Sequence, residues 1–545
     1  MRVRHSATAA VLVLLSTASL CASAIAADRP AHPSAAATAD EPGRNDRDEP
    51  QTSARGEAAK EGKLSDRDIA TAPIQETQRV TRHTASINGR AIPYSAIAGT
   101  VTIRDDDGKP TASMFYVAYV ADHGPGPAKR PLTFFYNGGP GSSSMWLHMG
   151  SFAPLRIRTA SPDATGPAPF NLAPNNESLL DKTDMVFIDA IGTGFSRPLG
   201  DAKGKDFWGV DQDVNAFTKG VVRFLTVHNR WNSPKFLFGE SYGTPRAAAM
   251  SYALQEQNVQ LNGVMLLSSI LNFNRRGPGL DNAYIDYLPS YAATAWYHNR
   301  LQNKPADLPA FLQEVRDYAA GPYAAALAKG HNIGQPEEDA VAKQVSAYTG
   351  LSVQYLEEAN LRVDLGRFRK ELMRDQRRTT GRYDSRFEGI DADAAGENAS
   401  YDPSDTGIQG AFAASFNDYL INDLDYHTDL TYRPTYYTIG REWDFKHKAP
   451  GSQYPMANAD TALDLAAAMR ENPHLKVLSL NGWYDMATPF FGTENDLSHM
   501  ELDPAIRANI SFTYYPSGHM VYLNPDALKT MKADLARFYD SAQGG

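Results

Sequence analysis

Short apolar runs alternate with longer amphipathic segments from about residue 78 onward. Extended stretches at Tyr94–Arg104 and Thr111–Val120 flank the turn Asp105–Gly108, and together they predict a β-hairpin. Amphipathic segments typical of helices include Val210–Val227 and Ala462–Arg470. Further apolar runs have the length of buried strands: Leu132–Tyr136, Met185–Ile188, Phe236–Phe238, Val264–Leu267, Val477–Leu480 and Ile510–Tyr515. This alternation predicts an α/β fold with a mostly parallel central sheet and helices on both faces.

The alternation is interrupted between residues 275 and 455. The first half of this segment contains charged, helical stretches at Leu308–Leu327, Glu337–Ala347 and Leu351–Arg378. Its second half is rich in Tyr, Asp and Asn. We interpret residues 275–455 as a large, mainly helical cap inserted over the sheet, which would shape a substrate pocket; a purely structural helical addition is the alternative. The predicted core is therefore split into two parts, residues 76–274 and 456–545.

The N-terminal region has the features of an exported protein. Arg2 and Arg4 precede an apolar stretch at 9–15, and Ala24-Ile25-Ala26 provides small residues for cleavage. Residues 1–26 are therefore predicted to be a secretory signal peptide, and residues 27–75, which contain hardly a large apolar residue, a disordered lead-in. The single cysteine, Cys21, lies in the predicted signal, so the mature protein would contain no disulfide. We expect a periplasmic or secreted bacterial protein.

Composition excludes several classes of function. The chain has 545 residues, 42% of them hydrophobic, and a formal net charge of −10 without a basic stripe, which argues against nucleic-acid binding. The N-terminal apolar run is too short to span a bilayer, so no membrane association is expected after signal cleavage. The stretch from Asp391 to Asp402 resembles a calcium loop, but Ala395 and Ala399 occupy ligand positions. No metal and no cofactor are predicted.

A nucleophile is predicted at Ser241. The run Lys235–Phe238 reads as a strand, Gly239-Glu240-Ser241-Tyr242-Gly243 follows it, and a helical segment begins near Pro245. This is the G-x-S-x-G pattern between a strand and a helix, in which a strained turn exposes the serine hydroxyl above the sheet. The strand–turn–helix setting makes the assignment far more specific than the five-residue pattern alone.

A serine nucleophile needs a base, and the base needs an orienting acid. Asp485 follows the strand Val477–Leu480 and His519 follows the strand Ile510–Tyr515, so the order Ser, Asp, His matches that of this architecture. Both loops leave the sheet at the edge where ligands bind in α/β proteins. Among the other histidines, His148 and His499 are expected to line a pocket or to face solvent.

The segment 136–150, YNGGPGSSSMWLHMG, is glycine-rich and contains three consecutive serines. It lacks the lysine of a phosphate-binding loop, and its serines lack a strand-to-helix turn. What it offers is main-chain N–H groups that can approach a substrate closely. In this architecture one oxyanion donor is the N–H of the residue after the nucleophile, here Tyr242, and the second comes from an earlier loop such as this one.

Five motifs together resemble the serine carboxypeptidases, the exopeptidase branch of the α/β-hydrolases: N-G-G-P-G-S-S, I-G-T-G-F-S, G-E-S-Y-G, G-W-Y-D and S-G-H-M-V. The resemblance covers about residues 80–270 and 455–540 and indicates a bacterial-type member without disulfides. It implies an enzyme that removes C-terminal residues from peptides with a free C-terminus through an acyl-enzyme intermediate. It also implies that the Gly139 N–H joins that of Tyr242 in the oxyanion hole, and that Asn137, Gly138 and Glu240 hold the substrate's terminal carboxylate.

The sequence departs from this family at three positions. Ser142 replaces the usual Cys, and Phe135 replaces the usual Trp. Ser151-Phe152-Ala153-Pro154 replaces an E-x-G-P stretch, whose glutamate in the family pairs with the glutamate of the G-E-S-Y-G motif, here Glu240. Because adjacent carboxylates raise each other's pKa, a lone Glu240 should be shifted less, which predicts carboxypeptidase activity without a strongly acidic optimum.

Two other functions remain open at this point. One is hydrolysis of esters or acyl transfer with the same triad, which the predicted carboxylate-binding residues Asn137 and Glu240 argue against. The other is a catalytically silent hydrolase scaffold that binds a partner, which the complete Ser–His–Asp set argues against.

Overall fold

The computed structural model describes residues 71–122, 130–277 and 279–543. The predicted signal peptide and residues 27–70 of the predicted lead-in lie outside the described residues. The strands are β1 Gln78–Ile87, β2 Arg90–Arg104, β3 Pro110–Ala121, β4 Leu132–Tyr136, β5 Leu155–Ile157, β6 Leu172–Pro174, β7 Asp184–Ile188, β8 Arg197–Pro198, β9 Lys235–Glu240, β10 Gly263–Leu267, β11 Thr379–Thr380, β12 Glu388–Gly389, β13 Lys476–Gly482 and β14 Ile510–Tyr515.

The helices alternate with these strands in the core and fill the middle of the chain. They are α1 Met145–Gly150, α2 Val210–Val227, α3 Gly243–Glu256, α4 Asn282–Tyr297, α5 Leu308–Tyr318, α6 Ala324–Leu327, α7 Gln335–Thr349, α8 Val353–Glu358, α9 Leu365–Glu371, α10 Pro403–Thr406, α11 Gln409–Asn422, α12 Tyr437–Arg441, α13 Ala462–Glu471, α14 Phe490–Ser498, α15 Pro504–Arg507 and α16 Pro525–Gln543. No helix within the described ranges is both long and apolar enough to span a membrane.

The main sheet has the strand order β1-β2-β3-β7-β4-β9-β10-β13-β14, with β8 paired to β3. Every pair from β7 to β14 along this path is parallel, whereas β1, β2 and β3 are antiparallel to their neighbours. The predicted hairpin is confirmed as β2–β3, and each predicted strand is found at its predicted place. The expected burial is wrong for β14, which lies at the sheet edge and is largely exposed. Strand β1 was missed because its sequence is mostly polar and its side chains are largely exposed, as at a sheet edge.

Alternate residues of the central strands face opposite sides of the sheet, and both sides are buried. On one side Phe135 and Phe238 pack in a cluster with helices α1, α11 and α16. On the other side Phe134 and Leu237 pack with helices α2, α3 and α13. Because the strands from β7 to β14 run parallel, their carboxyl ends form one shared edge of the sheet. The loops that leave this edge are the ones predicted to carry the chemistry.

The segment 275–455 forms two different kinds of structure. Helices α4 to α9 build a separate hydrophobic cluster that also includes Trp483 and Phe490, next to the end of β13. The predicted helical segment Leu351–Arg378 is broken into α8 and α9, because Asn360 and Leu361 adopt left-handed φ values of 50° and 62°. Helix α11 instead packs into the main core beside α1, so part of this segment belongs to the layer that covers the sheet.

Candidate active site

Ser241 lies at the sharp turn between β9 and α3. Its φ of 59° is in the left-handed region, which matches the strained turn that G-x-S-x-G requires. The Ser241 N–H donates a 3.0 Å hydrogen bond to the carbonyl of Leu267, the last residue of β10. The side chain is only half-buried, so the turn presents the hydroxyl at the carboxyl edge of the sheet, as predicted.

Asp485 and His519 meet in the loops that follow the neighbouring strands β13 and β14. Oδ2 of Asp485 is 2.8 Å from Nδ1 of His519, and both residues are 1% exposed. The other carboxylate oxygen accepts hydrogen bonds from the N–H groups of Ala487 (2.8 Å) and Thr488 (3.0 Å). With Nδ1–H donating to the carboxylate, Nε2 of the imidazole is left as an acceptor.

The end of β10 connects the serine loop to the histidine loop. Leu267 accepts the N–H of Ser241, and the hydroxyl of the next residue, Ser268, donates a 2.7 Å hydrogen bond to the carbonyl of His519. Among the described residues, the Ser241 hydroxyl makes no hydrogen bond to the imidazole. Such bonds are often long in unliganded enzymes and shorten when substrate binds. The two loops are therefore held against one strand end, with the hydroxyl unpaired.

The glycine-rich loop after β4 lies against the residue that follows Ser241. A Cβ on Gly138 would overlap the backbone nitrogen of Tyr242, so only glycine permits this approach. Within the described part of the chain, the N–H groups of Gly139 and Tyr242 donate to no protein acceptor. The loop is fixed by Arg246, whose guanidinium donates to the Asn137 carbonyl at 2.7 Å. The loop and the turn against which it packs thus each offer an N–H donor, and their role as an oxyanion hole stays a prediction.

The serines of this loop have structural contacts. The hydroxyl of Ser144 donates to the carbonyl of Ile188, and its N–H donates to Oδ1 of Asp189 at 2.8 Å. Ser142 donates its N–H to the carbonyl of Gly138 at 3.0 Å, which closes a turn. These contacts agree with the prediction that the loop supplies main chain and not a nucleophile.

Glu240, the residue before Ser241, is buried with an exposed fraction of 1%. Burial raises the pKa of its carboxyl to about 7, against the opposing effects of His519, the hydroxyl of Tyr522 and the amide of Asn137, while Asp485 adds a smaller upward effect. The structure therefore brings the predicted carboxylate-binding residues Asn137, Gly138 and Glu240 together beside the serine. A buried carboxyl of this pKa can be protonated near neutral pH and can then donate a hydrogen bond.

Ser151 does not pair with Glu240. Its hydroxyl and its N–H both donate to the Leu147 carbonyl, and its own carbonyl accepts from Asn175. The neighbour of Glu240 is instead the hydroxyl of Tyr522, which donates at 3.0 Å to Oε2 and 3.2 Å to Oε1. The sequence did not identify Tyr522; its only signal is a polar aromatic residue in the turn just after His519.

Residues 382–386 of the insertion, here called the clasp, hold both the acid loop and the base loop. The N–H of His519 donates to the Tyr383 carbonyl at 2.6 Å. In the acid loop, the N–H of Met486 donates to the Arg382 carbonyl at 3.1 Å, and the N–H of Ser385 donates to the Tyr484 carbonyl at 3.0 Å. This segment could not be recognised from the sequence, because its contacts to the two loops are mostly main-chain.

The competing histidines lie outside this site. His148 is 2% exposed; its ring stacks on Phe187 at 4.3 Å between centroids and is 2.7 Å from the hydroxyl of Tyr119. Burial lowers the pKa of His148 to about 3, so it is a neutral core residue, and the prediction that it lines a pocket or faces solvent is wrong. His499 follows the end of α14 and is exposed, as predicted.

The calcium-like stretch is occupied by protein contacts. Asp391 is 2.6 Å from the ammonium of Lys370, and Asp402 accepts hydrogen bonds from the N–H groups of Arg382 (3.0 Å) and Tyr383 (3.2 Å) in the clasp. Across the residues that the structure describes, no group of three or more His, Cys, Asp or Glu side chains could hold a metal ion.

Comparison with known proteins agrees with this geometry. The family model described as serine carboxypeptidase (Peptidase S10) matches residues 89–408. Serine carboxypeptidase-like 45 of Arabidopsis thaliana is 27% identical over 42% of this chain and 44% of its own length. Serine carboxypeptidase S10 family member 1 of Dictyostelium discoideum is 24% identical over 35% of this chain and 42% of its own length. The chain thus matches less than half the length of these curated relatives.

A solved structure extends the comparison to the fold. The crystal structure of KEX1(delta)P, a prohormone-processing carboxypeptidase from Saccharomyces cerevisiae, superimposes with a TM-score of 0.50 at 15% identity. The superposition covers 82% of this chain and 91% of that one. It confirms the predicted α/β-hydrolase fold.

Proposed function

Because the chain belongs to the serine carboxypeptidase family, we propose that it removes the C-terminal residue from peptides through an acyl-enzyme intermediate. The Ser241 hydroxyl attacks the carbonyl carbon of the last peptide bond, while Nε2 of His519 accepts the hydroxyl proton. Asp485 holds the imidazole through Nδ1–H and stabilises it once it is charged. The N–H groups of Gly139 and Tyr242 donate to the oxyanion that forms on the carbonyl oxygen.

The second half of the reaction uses the same groups. The imidazolium of His519 gives its proton to the departing amine, so the C–N bond breaks and the free amino acid leaves. Water then attacks the acyl ester on Ser241, with His519 accepting one of its protons and returning it to the serine oxygen. The products are the free amino acid and the shortened peptide, and the enzyme is regenerated.

The position of Glu240 is the observation that favours a carboxypeptidase over an esterase. Its buried carboxyl lies next to Ser241, near the amide of Asn137, and its pKa is about 7. In the protonated form it can donate a hydrogen bond to a substrate carboxylate, whereas the ionised form would repel it. An ester substrate has no terminal carboxylate and would need no such group.

The test compares a peptide that has a free C-terminal acid with the same peptide as its C-terminal amide, followed by mass spectrometry. We expect loss of one residue from the acid and at least 100-fold slower cleavage of the amide, with Ser241→Ala inactive on both. Equal cleavage of the two peptides, or cuts within the chain, would overturn the proposal in favour of a different hydrolase.

We further propose that the protein is exported by a bacterium and acts without disulfides. The support is the N-terminal pattern of Arg2 and Arg4, an apolar run and the small residues at 24–26, together with the single cysteine, Cys21. N-terminal sequencing of the protein recovered from the periplasm or the medium should give Ala27 as the first residue. Recovery from the cytoplasm with Met1 intact would contradict it.

A further inference from the structure

We propose that Tyr522 is a positioning residue of the carboxylate site, where its hydroxyl fixes Glu240 in the orientation that receives the substrate's C-terminus. This inference rests on the proposed carboxypeptidase function. It goes beyond the resemblance to the family, which pointed to a missing glutamate and named no replacement.

The Tyr522 side chain contacts both Glu240 and the helix α1 that precedes Ser151. Tyr522 is fully buried, and its hydroxyl donates to both oxygens of Glu240, at 3.0 and 3.2 Å. The ring lies against Gly150, the residue before Ser151, so closely that a Cβ on Gly150 would overlap it. The position of the Tyr522 ring is therefore fixed by its packing against Gly150.

The pKa of Glu240 depends on the groups that face its carboxyl. His519, Tyr522 and Asn137 favour its ionised form, whereas burial and Asp485 favour its neutral form. A second carboxyl would repel the Glu240 carboxylate or share a proton with it. The tyrosine hydroxyl carries no charge, because burial raises the pKa of Tyr522 well above 10. Tyr522 therefore adds no second titrating carboxyl beside Glu240.

The Tyr522 hydroxyl can keep its hydrogen bond to Glu240 whether Glu240 is ionised or protonated. When Glu240 is ionised, the hydroxyl donates to the carboxylate. When Glu240 is protonated and donates to a substrate carboxylate, its second oxygen still accepts from Tyr522. The contact thus restricts rotation of the Glu240 side chain, so the proton of Glu240 points toward the substrate.

Tyr522→Phe tests this role, because it removes the hydroxyl and keeps the ring against Gly150. We expect KM for a free-acid peptide at pH 6 to rise about 3- to 10-fold, the effect of one hydrogen bond. The alkaline limb of kcat/KM should also move up by roughly half to one pH unit, since a group that favours the ionised form of Glu240 is lost. Hydrolysis of p-nitrophenyl acetate, which lacks a carboxylate, should stay within about twofold of wild type.

Tyr539→Phe is the matched control. Tyr539 is equally buried, and its hydroxyl is hydrogen-bonded to Thr133 at 2.8 Å in strand β4, away from the carboxyl edge of the sheet. It should leave both KM and the alkaline limb unchanged. Gly150→Ala is a second variant, which should push the ring away from Glu240 and raise KM for the free-acid peptide more than for the ester.

The outcomes separate this inference from the proposed function. If wild type cleaves the free acid and the amide equally, both the function and the inference fall. If wild type prefers the free acid but Tyr522→Phe behaves like Tyr539→Phe, or slows the ester and the peptide equally without moving the alkaline limb, only the role of Tyr522 is overturned.

Discussion

The main-chain N–H of His519 is hydrogen-bonded to the carbonyl of Tyr383 at 2.6 Å, so the predicted base is held by a residue of the insertion. The histidine loop and the insertion approach each other closely at Gly518. A Cβ on Gly518 would overlap the Tyr383 carbonyl and the Asp384 backbone. Neither obstacle is the end of a flexible side chain. The position of the imidazole therefore depends on the clasp, residues 382–386, as well as on strand β14.

Gly518→Ala should lower kcat about 10- to 100-fold, because the added methyl group pushes the clasp away from His519 and misplaces the imidazole. The effect should appear equally with a peptide and with p-nitrophenyl acetate, and less in KM. Gly166→Ala is the control, since a Cβ there meets no atom within 4 Å. A folded Gly518→Ala variant with unchanged kcat would show that the clasp does not position the base.

Arg386→Met should destabilise the fold by about 3–5 kcal/mol, because it leaves the carboxylate of Asp384 buried without its partner. The two side chains are 2.5 Å apart and less than a tenth exposed, and Arg386 also donates to the Pro516 carbonyl at 3.1 Å. Urea unfolding measures the change. Arg300→Met removes an exposed ion pair with Asp375 and should cost at most about 1 kcal/mol. Equal effects of the two substitutions would contradict the structural role of the clasp.

Asp485→Asn should reduce kcat by about 10⁴-fold, since the amide no longer selects the imidazole tautomer that leaves Nε2 as the proton acceptor. Labelling of Ser241 by a fluorophosphonate should slow in parallel. Thr488→Val should have a graded effect of roughly 3- to 10-fold, because the Thr488 hydroxyl donates to Oδ2 of Asp485 at 2.7 Å and helps only to orient it. A Thr488 effect as large as that of Asp485 would mean that the hydroxyl itself takes part in proton transfer.

The nucleophile, acid and base could be predicted from sequence because each follows a short, mostly apolar strand, although β14 before His519 is a largely exposed edge strand. The strands before Ser241, Asp485 and His519 are short apolar runs bounded by polar turns, and parallel strands end at one edge of the sheet. The glycine-rich loop was found for the same reason, since it adjoins such a strand, whereas the role of Glu240 came from the resemblance to the family.

The clasp and Tyr522 could not be predicted in this way. Arg386 and the carbonyl of Pro516 are 130 positions apart, and the Tyr522 and Glu240 side chains are 282 apart. In each contact at least one partner lies in an irregular segment or a short turn that has no periodic pattern. The break between α8 and α9 was missed for a related reason, because the left-handed backbone at Asn360 and Leu361 replaces a helix that local composition favours.

Glu240→Gln should make the protein more stable above pH 7, because it removes a carboxyl that is unfavourable to ionise in the folded state. Burial raises the pKa of Glu240 from its ordinary value of 4.5 to about 7. Below pH 4.5 the carboxyl is protonated in both folded and unfolded chains. Between 4.5 and 7 only the folded chain keeps the proton, so stability falls as pH rises, at about 1.4 kcal/mol per unit, and levels off above 7.

The variant cannot ionise at this position and should lack that decline. Its free energy of unfolding should match wild type below pH 4.5 and exceed it by roughly 3 kcal/mol at pH 8. Urea unfolding at both pH values measures the difference, with the exposed Glu358→Gln as a control that should show none. A constant offset between Glu240→Gln and wild type across this range would mean that Glu240 has an ordinary pKa, and the proposal that its protonated form grips the substrate carboxylate near neutral pH would lose its basis.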